Sequence, residues 1–278
     1  MQLLALHCDL TAHAVIPGAT RLDMSEIPTR KELKVLDAAA AAILPEDPTP
    51  SLDQIMSMPD VPHLAEPQLA PQSVPEALRV VVIGSDAALS AVITRLMRAD
   101  TMWVEVAYVP TGVSEVARLW RLPRNAAAFA AEGKVHPKPL LRDDAGIAIA
   151  GTATVTSWDG GEITGEVIVD DSRLIFHKGK KKAPRYGVFG AQIESSVTAP
   201  GVNARVLTTA VGTAENPSLL YKLFPTPHAE VGDHKLCGRA IQGGGVDFRV
   251  SVDGISRKRP VDRVTIYRHL RDLQCVRP

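Results

Sequence analysis

The sequence predicts a two-part fold: an α/β domain built on a parallel sheet, followed by a mostly antiparallel, β-sandwich-like domain. Three observations carry that expectation. An apolar run, Val80–Ile83, stops at Gly84 and passes through a short polar turn into a helical pattern from Ala88. The same order recurs at Val104–Val109, where Pro110-Thr111-Gly112 leads into a helical stretch from Ser114 to Trp120. Strand–helix alternation of this kind argues for parallel strands with helices on the faces. Beyond residue 145 the character changes, and short strand patterns separated by turn residues replace the helices.

Read in order, residues 1–44 form an N-terminal segment with one helix. In Lys31–Leu44 the residues Leu33, Leu36, Ala40 and Ile43 fall on one helical face. Residues 45–78 hold eight of the chain's 21 prolines. Proline removes a backbone donor and disfavours helix just before itself, so this stretch is expected as a linker or as a wrap across the first domain. The α/β domain follows at 79–145, with a further helix at Asn125–Glu132. The β-rich domain occupies 146–278. Its expected strands are Ile147–Val155, Thr164–Val169, Arg173–Phe176, Val188–Ile193, Arg205–Ala210, Gly238–Ile241, Val246–Val252 and Val261–Tyr267. Asp159-Gly160-Gly161 and Asp253-Gly254 supply turns between them.

Composition narrows the function classes. Of 278 residues, 45% are hydrophobic and 22% charged, which suits a packed core rather than disorder. The formal net charge is zero, so wholesale attraction to nucleic acid or to anionic membranes is not implied. Cys8, Cys237 and Cys275 are far apart and form no metal-ligand spacing, which fits a reduced, cytoplasmic setting. The N-terminus lacks the pattern of a signal peptide, and no apolar window reaches membrane-spanning length.

Chemistry is suggested mainly at the two strand–helix junctions. A helix N-terminus offers free N–H groups and the positive end of its dipole, which suit a phosphate. Neighbouring junctions of a parallel sheet frame a crevice where ligands bind. Gly84, Ser85, Asp86, Thr111 and Gly112 are therefore candidate cofactor-binding residues. Each has an ordinary structural role open to it as well: Gly84 relieves the bend, Ser85 or Asp86 caps one helix, and Ser114 caps the other. The pairs Asp143-Asp144 and Asp170-Asp171 sit at predicted turns, where solvation explains them better than cation binding.

These segments occur in a familiar order. The run Gly84-Ser85-Asp86-Ala87-Ala88-Leu89-Ser90-Ala91 stands where diacylglycerol kinases have Gly-Gly-Asp-Gly-Thr-Leu-Asn-Glu. Val109-Pro110-Thr111-Gly112-Val113-Ser114 stands for their Pro-Leu-Gly-Thr-Gly-Asn, and Pro123 for the proline that follows. Asp253-Gly254-Ile255 stands for an Asp-Gly-Glu in the β domain, and Val264–Leu270 for the last strand. Over residues 79–278 the chain resembles the catalytic-domain family of diacylglycerol kinases and related bacterial lipid kinases, which share their two-domain fold with NAD kinases. The family's opening strand and phosphate loop are not visible in residues 1–78.

The resemblance implies ATP and Mg2+ as cofactors, with Asp86 organising nucleotide and metal, and Asp253 as the base for an acceptor hydroxyl. Asp253 is equally suited to a hairpin turn. The departures weaken the carry-over. Ser85 and Ala87 replace glycines that let backbone approach phosphates. Ala88 replaces a threonine whose hydroxyl would bond phosphate, and one lost hydrogen bond to a charged group costs about 1.5–3 kcal/mol. Ile255 removes an acid. The expected function is that of a lipid-kinase-like protein with eroded motifs, weakly active or inactive as a phosphotransferase; the alternative is a non-catalytic ligand-binding or scaffold protein on the same fold. Expected partners are a nucleotide and a lipid, with a homodimer compatible with the fold class. The dense basic run Lys178–Arg185 is either a solvated loop or a contact for an anionic surface such as lipid headgroups. With no aromatic inside the run, single-stranded nucleic acid is not expected there.

Overall fold

The computed structural model describes residues 1–58, 65–180, 184–211 and 229–278. The chain divides into two compact units. The first comprises 1–151, 195–201 and 268–278, and the second 152–194 and 202–267.

The first unit is an α/β layer structure. Its elements are β1 (Gln2–His7), β2 (Thr20–Asp23), α1 (Lys34–Ile43), α2 (Leu52–Met56), β3 (Leu78–Gly84), α3 (Asp86–Arg98), β4 (Glu105–Pro110), α4 (Glu115–Leu119) and α5 (Ala126–Glu132). A short hairpin of β5 (Leu141–Asp143) and β6 (Ala148–Ile149) completes it. Strands β2-β1-β3-β4 form one parallel sheet in that order. All seven residues of β3 are buried, as expected for a strand covered on both faces. Leu4, Leu6, Val80 and Val82 join Leu36, Leu89 and Ile93 in one core, whereas Leu3, Ala5, Val81 and Ile83 join Ala130 in the other.

The opening of the chain differs from expectation. Residues 1–44 are not a separate segment: β1 is an inner strand of the sheet, hydrogen-bonded to both β2 and β3. Its apolar run, Leu3–Leu6, is only four residues long, too short to separate strand from helix by periodicity. Within 45–78, described residues on both sides of 59–64 are bonded to the C-terminal segment of the first unit. Ser51 and Gln54 build a reciprocal capping box on α2. Further on, the Gln68 N–H donates to Asp272 Oδ2 (3.0 Å), the Ala70 N–H to Gln274 Oε1 (3.2 Å), and Arg271 Nη2 to the Pro50 carbonyl (2.7 Å). The C-terminal segment thereby fastens the proline-rich stretch to the unit.

The second unit is antiparallel. It contains β7 (Thr152–Ser157), β8 (Gly165–Val169), β9 (Ser172–His177), β10 (Gly190–Ser195), β11 (Val202–Leu207), β12 (Val231–Gly238), β13 (Ala240–Val252), β14 (Ile255–Ser256) and β15 (Val261–Arg268). The expected strand at 246–252 and the end of that at 238–241 belong to one long strand, β13, whereas Gly238 ends β12. The first half of β13 pairs with β8 and its second half with β7. Gly243-Gly244-Gly245 marks the change of partner. A Cβ on Gly245 would lie 2.2 Å from the Thr164 carbonyl oxygen, so only a bare backbone passes there. The passage from the α/β part to the β-rich part, expected at 145/146, falls at 151/152, after the β5–β6 hairpin.

Candidate functional site

Gly84 ends β3, and the N-cap of α3 follows at once. Ser85 has extended backbone, and its hydroxyl accepts from the Ala88 N–H. Gly84 is required by packing: a Cβ there would stand 2.9 Å from Cys8 Cβ and 3.4 Å from Ala88 Cβ. The two junctions meet as expected, since the Thr111 N–H donates to the Gly84 carbonyl at 3.1 Å. Thr111 and Gly112 are exposed, and a Cβ on Gly112 would meet nothing within 4 Å. Ser90, which stands for an asparagine in the family motif, donates its hydroxyl to the Ala148 carbonyl (2.7 Å).

Asp86 is the centre of the arrangement. Its Oδ1 accepts from the Tyr108 hydroxyl (2.8 Å) and the Ser114 hydroxyl (2.5 Å). Its Oδ2 accepts from the backbone N–H groups of Glu115 (2.9 Å) and Val116 (3.2 Å). A carboxylate offers about four lone-pair directions, and here four protein donors occupy them. Ser114 also accepts from the Ala117 N–H, so the first turn of α4 spends its N–H groups on Ser114 and Asp86. The carboxylate of Asp86 thus sits where an anion would sit on α4, and it ties α3, β4 and α4 together.

That donor set does not fit a metal ligand, since a cation needs lone pairs that protein hydrogens already take. Among the described residues, no group of three or more His, Cys, Asp or Glu side chains is placed to hold a metal ion.

Tyr108 and Asp9 carry parts of this site that the sequence reading missed. Tyr108 is buried in β4 with its hydroxyl on Asp86 and 3.0 Å from the Gly84 carbonyl. A buried tyrosine hydroxyl needs a polar partner, and a tyrosine two residues before the turn was the available signal. Asp9, just past β1, accepts from the Thr11 N–H (2.9 Å) and the Thr11 hydroxyl (2.6 Å). These bonds hold its carboxyl below the ordinary value, with a smaller lowering from the neighbouring Thr111 side chain. The loop after β1 thus lies beside the second junction, and its strand was not revealed by the sequence.

Asp253 belongs to the second unit. With Gly254 it forms the two-residue loop between β13 and β14, where Val252 faces Ile255. Both residues have positive φ, +46° and +87°, as a type I′ turn demands. The Asp253 side chain is buried, and its Oδ1 accepts from the Thr152 N–H at 2.9 Å. Of the basic run, Lys181, Lys182 and Ala183 lie outside the described residues; Lys178, Lys180 and Arg185 are exposed. Among the described residues no helix is long and apolar enough to cross a membrane.

No protein-family model and no curated protein matches the sequence. Solved structures do. A diacylglycerol kinase from Bacillus anthracis str. Sterne superposes with a TM-score of 0.58 at 10% identity, covering 100% of this chain and 97% of that one. A putative diacylglycerol kinase from the same organism gives 0.58 at 9% identity, over 99% and 96%. An NAD kinase from Archaeoglobus fulgidus in complex with ATP gives 0.41 at 14%, over 70% and 76%. At 9–10% identity, the two diacylglycerol kinase structures establish a likeness of fold.

Proposed function

We propose that this chain is a diacylglycerol-kinase-fold protein whose strand-end loops have passed from nucleotide handling to structural support, leaving phosphotransferase activity weak or absent. The observation that carries this reading is the Asp86 carboxylate with its four protein donors. An acid that organises ATP and Mg2+ keeps oxygens for the cation, and Asp86 spends its own on Tyr108, Ser114 and the start of α4. The sequence departures agree: Ala87 and Ala88 supply neither bare backbone nor hydroxyl. Asp253, the acid that stands for the family's base, is seated in a turn and bonded to Thr152.

The test has two arms on the full chain. Melting is followed with and without ATP and magnesium, and labelled phosphate transfer from ATP to a lipid extract is measured. The expected result is no stabilisation and at most a trace of labelled lipid. Robust lipid labelling that Asp253→Asn abolishes would overturn the proposal and restore Asp253 as the base. If nucleotide stabilises the protein without any transfer, the non-catalytic ligand-binding form of the reading is the correct one.

A further inference from the structure

We propose that the first unit pairs with a second copy of itself through the outer edge of β2, joining their parallel sheets into one continuous sheet. This pairing does not depend on whether the fold turns over ATP. Strand β2 is the end strand of its sheet, paired on one side with β1 in the register Ala5↔Arg21, Leu6↔Leu22 and His7↔Asp23. Just past its end, the Met24 N–H donates to the His7 carbonyl at 2.9 Å. Backbone groups alternate sides along a strand, so residues 20, 22 and 24 bond to β1. The N–H and C=O groups of Arg21 and Asp23 point the other way. Among the described residues, these two N–H groups have no partner.

The side chains select the register. Arg21 and Asp23 lie on one face, their side chains 54% and 59% exposed, with Arg21 Nε 2.7 Å from Asp23 Oδ1. Leu22 is on the opposite face, half-buried against the core. An antiparallel copy centred on Leu22 sets Arg21 opposite Asp23 and Asp23 opposite Arg21. These are the residues whose backbone groups point outward, so each Arg–Asp pair also exchanges both of its N–H···O bonds between the copies. Centring on Arg21 would oppose two arginines, and centring on Asp23 two aspartates. A shift by one residue would set Leu22 against a charge. A single register is left, isologous and closed at two copies. Charges ordinarily protect an edge strand from pairing; here the strand they complement is their own.

The paired edge is short. On one side the Ala19 N–H is taken by the Ile16 carbonyl (3.2 Å), and on the other the Ser25 N–H by Glu32 Oε1 (2.8 Å). Pairing therefore stops at residues 20–23. Such an interface is smaller than the roughly 1,200 Å² at which stable complexes begin, so the copies associate at high concentration, with a Kd on the order of 0.1 mM. The chain carries no formal net charge, so two copies approach without long-range repulsion.

The experiment is sedimentation velocity on the full chain from about 5 µM to about 1 mM, a range that brackets this Kd. Cys237→Ser is present throughout, to remove the exposed thiol. The sedimentation coefficient should rise with concentration, and less so when salt is raised from about 0.1 to about 0.5 M. Arg21→Asp and Asp23→Arg each oppose like charges, and each should raise the Kd about tenfold or more. The double variant carrying both exchanges restores opposite charges in the same register and should recover the dimer, a gain that cannot arise from misfolding. Leu22→Cys sets two thiols at a non-hydrogen-bonded pair, with Cα atoms about 4.5 Å apart and within reach of a disulfide, so mild oxidation should yield a covalent dimer. A monomer at every concentration, a dimer that the single reversals leave intact, a double variant no tighter than the singles, or no covalent dimer from Leu22→Cys would each overturn the assignment.

Discussion

Replacing Asp86 by Asn separates a structural carboxylate from a metal-binding one. The asparagine amide is nearly isosteric, but only one of its two polar ends accepts. Two of the four donors around Asp86 must then face an NH2 group. The amide turns its NH2 to the Tyr108 and Ser114 hydroxyls, which accept while Tyr108 donates to the Gly84 carbonyl, so the four bonds persist without their charge assistance, at a cost of about 0.5–1 kcal/mol each, and the start of α4 loses a favourable anion worth a few tenths of a kcal/mol. Asp86 is only half-buried, so solvent recovers part of this. The expected loss is about 2–4 kcal/mol, or about 5–15 °C in Tm for a domain of this size. Urea denaturation and thermal melting measure it directly. Tyr108→Phe removes one donor and should cost about 1–2 kcal/mol. The double variant should cost less than the sum of the two, because both act on the same contact. A carboxylate kept for a cation holds up no part of the metal-free fold, so neutralising it should leave the melting temperature unchanged or higher. An Asp86→Asn protein that melts at or above the wild-type temperature would refute the bracing role and the functional reading built on it.

Three further outcomes follow from the same geometry. Gly84→Ala forces a methyl to 2.9 Å from Cys8 Cβ and should destabilise by about 1–3 kcal/mol, whereas Gly112→Ala enters open space and should leave the melting curve within about 0.5 kcal/mol of wild type. Gly254→Ala places a Cβ at φ +87° and should cost about 1 kcal/mol in the β13–β14 hairpin, measurable by the denaturation midpoint. Burial pushes the His269 imidazole down to about 4, from an ordinary value of 6.5, and its Nδ1 accepts from the Arg271 N–H. Because the unfolded chain binds this proton more readily, stability should fall as pH drops from 6.5 toward 4, by up to about 3 kcal/mol, and His269→Gln should flatten that dependence.

The α/β core was legible because both of its signals are local. The run Val80–Ile83 stops at a glycine, and Ser85 and Ser114 occupy the cap positions their hydroxyls suit. What remained hidden depends on partners distant in sequence. Strand β1 offers only four core residues and becomes a strand through its hydrogen bonds to β3, more than seventy residues away. The long strand β13 looked like two because Gly243-Gly244-Gly245 reads as a break. In three dimensions the glycines are where the strand exchanges β8 for β7 as its neighbour. The wrap of residues 65–74 is held by Asp272 and Gln274, and no local pattern could have paired those residues.

The candidate site shows the same division at finer scale. Its members were readable from the order Gly84, Asp86, Thr111, Gly112, but the direction of its hydrogen bonds was not. A helix N-terminus with a nearby acid invites two opposite assignments, an anion site with a metal-holding carboxylate or a helix cap supplied by the protein itself. The cap assignment draws its support from Tyr108, whose hydroxyl reaches Asp86, and from the α4 N–H groups at 2.9 and 3.2 Å from the same carboxylate. Once the acid lies on α4, an incoming phosphate would have to displace it and meet its charge. On the proposed reading, the residue whose survival in the motif suggested nucleotide binding is the one that opposes it at this junction.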